Sequence, residues 1–432
     1  MNLIIKILFN HYKQLLSSVS LVMLFRAFGA AVGFISGILI TRYLGIKESG
    51  IYFYAIDLIT TIAVISGLGL NNALLRDVAS AETQSDITSV TQKFWTIVSV
   101  IFLISLISIF TVITGRNEIS QFVSKVQLST PLLIMSLLIF MIPLNSYLVT
   151  FLQGQKRLIK SSLLQFILPY TFLSLFILLL KPNNSIDVAF IHLMVIILTV
   201  LIGLLFTKKQ LFIPKASHRR KIQGWGSFVT MHMFSSFSIM FISLINGYFL
   251  IPEEFAVLTA ANRYTLLISF CLIAFNFVAA PKYAKLYKEG KTNELCTFVQ
   301  SVTRFLIIIT IPCSLIVLIF QDQFMSLYGQ EFSDYGYILA ILIGGQVINV
   351  VTGSVAYLLT LSGHEKDLKN IIVVLTPISV ILSFILADRF GLSGIAVAMA
   401  ISAININICA YIMVVKRLGF HTISFNFNSI KP

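Results

Sequence analysis

The sequence predicts an all-α polytopic membrane protein with twelve transmembrane helices in two pseudo-symmetric halves. Three observations lead to a membrane protein of this kind. The 432 residues are 57% hydrophobic and 11% charged, with a mean hydropathy of +0.93, whereas a soluble domain is about a quarter charged. Apolar runs of membrane length recur from one end of the chain to the other. The basic residues are sorted into alternate loops, as the positive-inside rule requires.

The spans are expected at 18–41, 50–74, 90–114, 131–152, 161–180, 187–207, 225–250, 256–280, 302–320, 336–361, 369–387 and 391–415. Each is long enough to cross about 30 Å of hydrocarbon at about 1.5 Å per residue. Before them, "MNLIIKILFNHYKQLL" has no small-residue cleavage site and reads as a helix lying on the cytoplasmic leaflet. Of the 31 Lys and Arg, 23 fall in one set of loops and six in the other. Both termini are therefore expected in the cytoplasm. The densest loop, "KKQLFIPKASHRRK", separates spans six and seven. The expected organisation is an N-terminal bundle over 1–207, a basic cytoplasmic linker over 208–224, and a C-terminal bundle with its tail over 225–432. The net charge of +14 belongs to these short loops, which excludes nucleic acid as a partner and leaves the lipid bilayer. Cys271, Cys296, Cys313 and Cys409 form no CxxC pair and read as small buried hydrophobes.

The halves repeat. "SYLVTFLQGQKRLIK" (146–160) is echoed by "AYLLTLSGHEKDLK" (356–369), and "FISGILITRYLGIKESGIYFYAID" (34–57) by "FISLINGYFLIPEEFAVLTAANR" (241–263). Glu48 and Glu254 are 206 positions apart, and Tyr147 and Tyr357 are 210 apart. Six spans per half is an even number, so the copies share one orientation, about an axis along the membrane normal.

Three charges lie deep in spans. Arg26 interrupts "SLVMLFRAFGAAVGF", Asp57 lies in "YFYAIDLITT" and Arg263 in "TAANRYTLLI". A charge at mid-bilayer costs about 2.5–3.5 kcal/mol on insertion scales, so it faces the bundle interior, a wet cavity or a partner. The 206-residue offset makes Asp57 and Arg263 equivalent positions, expected to face each other across the repeat axis. Two readings of the set stay open. One is a purely structural ion pair, with Arg26 snorkelling to the cytoplasm. The other is a cationic cavity for an anionic substrate, with Asp57 as a gating or ion-coupling carboxylate. Asn71, Asn72, His232, Asn246, Asn262, Gln346 and Asn349 add polar groups in or beside these spans, each more often a helix–helix hydrogen bond than a ligand contact. His192 reads as structural, and His232 lies near the repeat equivalent of Arg26.

The chain has no Walker loop, HExxH, Cys/His cluster or GxSxG. It has no large loop to house catalysis, so no catalytic residue, metal or cofactor is expected.

"RYLGIKESGIYFYAIDL", "GLGLNNALLRDVA", "LQGQKR", "APKYAKLYKEGKTNELCTFVQSVTRFLIIITIPCSLIV", "YGQEF", "LSGHEKD" and "GLSGIAVAMAIS" occur in that order over nearly the whole chain. Together they resemble the polysaccharide-transport (Wzx-like O-antigen flippase) branch of the multidrug/oligosaccharidyl-lipid/polysaccharide exporter superfamily. The resemblance implies two six-helix bundles around a cavity in a bacterial inner membrane. It also implies export of an undecaprenyl-diphosphate-linked glycan from the cytoplasmic to the outer leaflet, for O-antigen and lipopolysaccharide biosynthesis, with a glycan polymerase and chain-length proteins as partners. Arg26 matches the family's cationic cavity; Arg42 and Arg76 fall near span ends, at its mouths. The expected substrate-binding set is Arg26, Arg42, Asn72, Arg76, Asn262 and Arg263, with Asp57 and His232 as gating or coupling groups. A drug or cation exporter of the same superfamily would want acidic rather than basic residues in the cavity. A glycan polymerase would want a large external loop, and a mere scaffold would leave the deep charges unexplained.

Overall fold

A computed structural model describes residues 13–79, 84–123, 126–211 and 226–423, and among them there is no β-strand. The N-terminal segment 1–12 and most of the basic linker expected at 208–224 lie outside the described residues. The chain divides into two compact units, Met1–Tyr248 and Phe249–Pro432. Among the described residues, eight helices are long and apolar enough to cross a membrane. Two of these are pairs of spans joined at a single glycine.

The first unit begins with α1, Lys13–Ser66, broken at Gly45 (φ 72°, ψ 175°). A positive φ suits glycine and breaks the α-helical path, so α1 is the first two expected spans meeting at one residue. The second arm is the better buried: Ile51 to Ala55, Ile59 and Ala63 are all within 2% of full burial. It stops at Ser66, eight residues short of the expected 74. The cause is a turn through Leu68 (φ 57°) and Gly69 (φ 62°), after which α2, Asn71–Ala79, starts anew. One hydroxyl closes that turn. Tyr147 Oη donates to the Gly67 carbonyl at 2.5 Å and accepts from the Leu70 N–H at 2.9 Å.

Third comes α3, Gln84–Phe122. The fourth span is two helices, α4 (Ser129–Met135) and α5 (Leu138–Gly154). The fifth is α6 (Leu158–Ser162), a π-turn over Leu163–Ile167, and α7 (Leu168–Leu180). Pro169 accounts for the π-turn, because proline has no N–H to give and its ring would strike the carbonyl four residues back. The N–H of Leu168 instead reaches the Leu163 carbonyl five residues back. The sixth is α8, Ser185–Leu211, whose first amide donates 2.8 Å to Glu48 Oε2 beside the α1 break. The unit closes with α9, Gly226–Phe249.

The second unit opens with α10, Pro252–Lys288. Proline at the first turn and the Glu254 carboxylate, which accepts the Ile251 N–H at 3.1 Å, are strong helix-start signals. Ile251, the joint between α9 and α10, lies 206 positions after Gly45, so the repeat offset found in the sequence relates the two breaks. α11 (Thr292–Ile319), α12 (Gln321–Ser326), α13 (Gly336–Thr352) and α14 (Val355–Leu361) follow. The last helix, α15 (Glu365–Leu418), breaks at Gly391 (φ 54°, ψ −130°) and so supplies the last two spans. Arg417 ties its two ends with a fork to Asp367, at 2.7 and 3.1 Å.

Candidate functional site

Arg26 lies in the first arm of α1, half-buried. That arm approaches the fifth span closely enough that a Cβ at Gly29 would fall 2.5 Å from the Phe166 Cβ and 2.7 Å from its carbonyl oxygen. One turn on, Gly33 faces the ring of Tyr170 at ordinary contact distance. With the backbones this close, the Arg26 guanidinium carbon sits over the Phe166 ring, 5.3 Å from its centroid. That is within the range of a cation–π contact. Phe166 lies on the π-turn, and Asn145 of α5 reaches the neighbouring Leu164 carbonyl at 3.5 Å. Sequence reading missed Phe166, although Pro169 was a signal that the helix there could not be regular.

Asp57 is on the second arm, where Ser243 of α9 donates a short hydrogen bond to its Oδ2. Two further contacts lie along the same pair of helices. Tyr54 presses against Gly247, where a Cβ would overlap the phenol hydroxyl. His232 Nε2 contacts the Val64 carbonyl at 2.9 Å; a carbonyl only accepts, so that nitrogen carries the proton. His232 also fills the space beside Gly69. Positions 54, 57 and 64 lie on one face of α1, and 232, 243 and 247 on one face of α9, running in opposite directions. Ser243 and Gly247 have no sequence signature of their own.

The other expected residues are dispersed. Arg42 is exposed near the end of the first arm. It is 16 residues from Arg26, about 24 Å along a helix at about 1.5 Å per residue, so the two do not grip one phosphate. Arg76 is exposed on α2, 3.5 Å from Asp77, which also holds Lys93 at 2.6 Å. The Asn72 side chain lies outside the described set. In the second unit, Arg263 is half-buried on α10, beside an aromatic group in which the Tyr264 and Tyr328 rings meet edge-on at 5.9 Å. Asn262 accepts from the Thr265 hydroxyl at 3.0 Å.

Several polar side chains make the helix–helix bonds expected of them. Asn71 donates to Ser146 Oγ at 3.0 Å, and Gln346 to Ser269. His192 is paired with the Tyr52 hydroxyl at 2.7 Å. No group of three metal-ligating side chains occurs among the described residues.

The polysaccharide biosynthesis protein family matches residues 15–287. A curated relative from Haloferax volcanii, named a probable low-salt glycan biosynthesis flippase, Agl15, is 23% identical over 411 residues, covering 93% of this chain and 83% of its own. Among solved structures, an inward-facing MATE-family multidrug resistance transporter of the MOP superfamily superposes with TM-score 0.74 at 13% identity, covering 92% of this chain and 98% of its own. The lipid II flippase MurJ does so at 0.71 and 15%, over 91% and 87%. A Pyrococcus furiosus MOP-superfamily transporter, described as having a binding pocket of reversed polarity, gives 0.63 and 15%, over 92% and 95%. At these identities the likeness is one of fold, and it is the twelve-span fold the hydropathy predicts.

Proposed function

We propose that this chain, which belongs to the polysaccharide biosynthesis protein family, is a flippase that carries a lipid-linked glycan across the membrane. The name of the Haloferax relative and the fold shared with MurJ support that class of work. The observation that carries the reading is Arg26, a permanent cation deep in an apolar span and held against Phe166.

The chemistry of such a substrate asks for that cation. Each sugar hydroxyl stripped of water without a replacement partner costs about 4–8 kcal/mol in hydrocarbon. The head needs an enclosed polar route, while its polyprenyl tail stays in lipid. The diphosphate joining them is a fixed anion, and a guanidinium stays charged at any depth and binds phosphate oxygens in a fork. The specific substrate proposed is an undecaprenyl-diphosphate-linked repeat unit of the O-antigen type. It moves from the cytoplasmic to the outer leaflet of a bacterial inner membrane, by alternating access through a cationic cavity. The termini are cytoplasmic by the charge census. Arg42, Arg76, Asn72, Asn262 and Arg263 serve successive positions of the head along its route, since Arg26 and Arg42 are too far apart for one. Asp57 and His232 tie α1 to α9 and gate that route. A drug exporter shares the fold, but a cationic drug has no use for a buried arginine.

The test is reconstitution in vesicles loaded with a fluorescent undecaprenyl-diphosphate-linked oligosaccharide, scored by access of an external glycosidase. Time-dependent exposure that Arg26→Gln abolishes supports the reading. Equal exposure in protein-free vesicles and in vesicles holding the protein overturns it.

A further inference from the structure

Four lysines recur in "APKYAKLYKEGK", at 282, 285, 288 and 291, at the end of the second unit that the charge census assigns to the cytoplasm. Three are ordinary. Lys285 lies 3.8 Å from Glu289, and Lys291 lies 3.2 Å from Glu289 and 3.8 Å from Glu294. Lys288 is exposed at the end of α10. Lys282 differs. It is half-buried, and its Nζ sits 3.9 Å from the centroid of the Phe298 ring on α11. No hydrogen bond or ion pair joins that ammonium to another described residue. Glu294, whose field reaches it, is exposed and lies against Lys291.

Phe298 is itself fixed. Its ring meets that of Tyr283 edge-on at 5.5 Å, and the buried Tyr283 has its hydroxyl 3.4 Å from Ser354 Oγ. Phe298 also packs against two apolar clusters, one around Tyr283 and Val299 and one around Leu272 and Leu306. The ring therefore fixes where the lysine head sits. It attracts the ammonium without removing its charge, whereas a carboxylate would neutralise it.

The repeat adds an independent line. Lys282 lies 206 positions after Arg76, the offset that relates Asp57 to Arg263. Each half thus puts a cation at this position. In the first half the next residue is Asp77, which lies against both Arg76 and Lys93. In the second half the next residue is Tyr283, and the cation is held by an aromatic face in place of an acid. A charge kept at an equivalent position, half out of water and not neutralised by contact, is what an anion-binding lysine requires.

We propose that Lys282, seated on Phe298, binds the diphosphate of the lipid-linked substrate at the cytoplasmic end of the second unit. This rests on the flippase reading above for the identity of the anion. Lysine is a point charge with three rotatable donors, so it accepts a phosphate from more than one direction. A phospholipid head offers the same chemistry, and the test separates the two sources.

The experiment measures binding to the full chain in phosphatidylcholine nanodiscs. The probes are undecaprenyl diphosphate, undecaprenol as its phosphate-free control, and phosphatidylglycerol. The variants are Lys282→Gln, Lys282→Met, Lys282→Arg and, for a carboxylate-paired lysine of the same stretch, Lys285→Gln; the thermal midpoint of each is recorded. Lys282→Gln and Lys282→Met should each weaken undecaprenyl diphosphate binding by about 10- to 100-fold, the scale of a hydrogen bond to a charged group. Lys282→Arg keeps the charge and should stay within about three-fold of the parent, and Lys285→Gln within about two-fold. Binding of undecaprenol and phosphatidylglycerol should not change. Lys282→Met preserves the packing of the stem, so it keeps the question decidable if Lys282→Gln folds poorly. Parent-like diphosphate binding in both neutral variants overturns the site, as does an equal loss in Lys285→Gln or an equal loss of undecaprenol. An equal loss of phosphatidylglycerol assigns Lys282 to bulk lipid and overturns it too. A parent that binds undecaprenyl diphosphate no better than undecaprenol strikes the flippase reading itself, an outcome distinct from failure of Lys282 alone.

Discussion

The first and last long helices, α1 and α15, are built alike and charged differently. Each runs 54 residues and is broken once by a glycine at positive φ, so each lays down two consecutive spans. In α15 the charges are confined to the two ends and to Asp388–Arg389 beside the break, where they can reach water. In α1 the arms themselves carry charge: Arg26 in the first and Asp57 in the second. One design thus serves two purposes. Where charges sit only at the ends, the helix pair is accounted for by membrane insertion and packing. Where charges interrupt the apolar arms against their insertion cost, the proposed function gives the pair work that packing alone does not require.

That contrast can be broken at several points. The largest effect is expected from Arg26→Gln, which should lower glycan flipping by at least about 100-fold, on the scale of losing a charge-assisted phosphate contact worth about 3 kcal/mol. Abundance should stay near normal, and Arg26→Lys should retain part of the rate. The matched control in α15, Asp388→Asn with Arg389→Gln, should stay within about two-fold of the parent, as surface charges usually do. If the control falls as far as Arg26→Gln, the contrast between the helices is void.

Next is the tie between α1 and α9. Asp57→Ala and Ser243→Ala each break the same bond, so each should slow flipping by about ten-fold, and the double variant should be no worse than the more severe single. Flipping rates across the four-protein cycle test this; independent, multiplying losses would dissolve the latch.

A smaller effect is expected at Tyr147. Phenylalanine there keeps the ring and strands the Gly67 carbonyl and Leu70 N–H, costing about 1–3 kcal/mol, read as a lowered thermal midpoint in detergent. The smallest concerns the two breaks. No atom lies within 4 Å of a Cβ at Gly45 or Gly391, so alanine is penalised only by backbone conformation, about 1–3 kcal/mol at each. Equal stability losses with a change in transport from Gly45→Ala alone would sharpen the comparison, and matched changes in both properties would blunt it.

Much of this architecture is legible in the residues. Hydropathy places a helix at each expected span though not its every end, and the glycines of "YLGIKESG" and "DRFGLSG" fall where α1 and α15 break. The early stop of the second span was written in Gly67 and Gly69, but an unbroken apolar run hid it, because hydropathy does not register a turn. The deep charges announce themselves, as any cation amid leucines must. Their neighbours do not. Ser243 is one serine among several in "MFSSFSIMFISL", and what makes it a partner of Asp57 is the angle at which α9 crosses α1. Phe166 is one of 36 phenylalanines, distinguished only by a local winding that a single proline hints at and three-dimensional packing decides.

The π-turn at Leu163–Ile167 also bears on how the length of this span can vary. A π-turn is an α-helix with one residue to spare, and it stands where an insertion can be absorbed without lengthening the span by a full step. Removing one residue from 163–167 restores ordinary winding only where Pro169 is replaced too, since its ring would otherwise strike the carbonyl four residues back. The same deletion would swing Phe166 away from Arg26. The extra residue and Pro169 therefore stand together: the proline that a regular helix would reject is tolerated because the chain carries one residue to spare just before it.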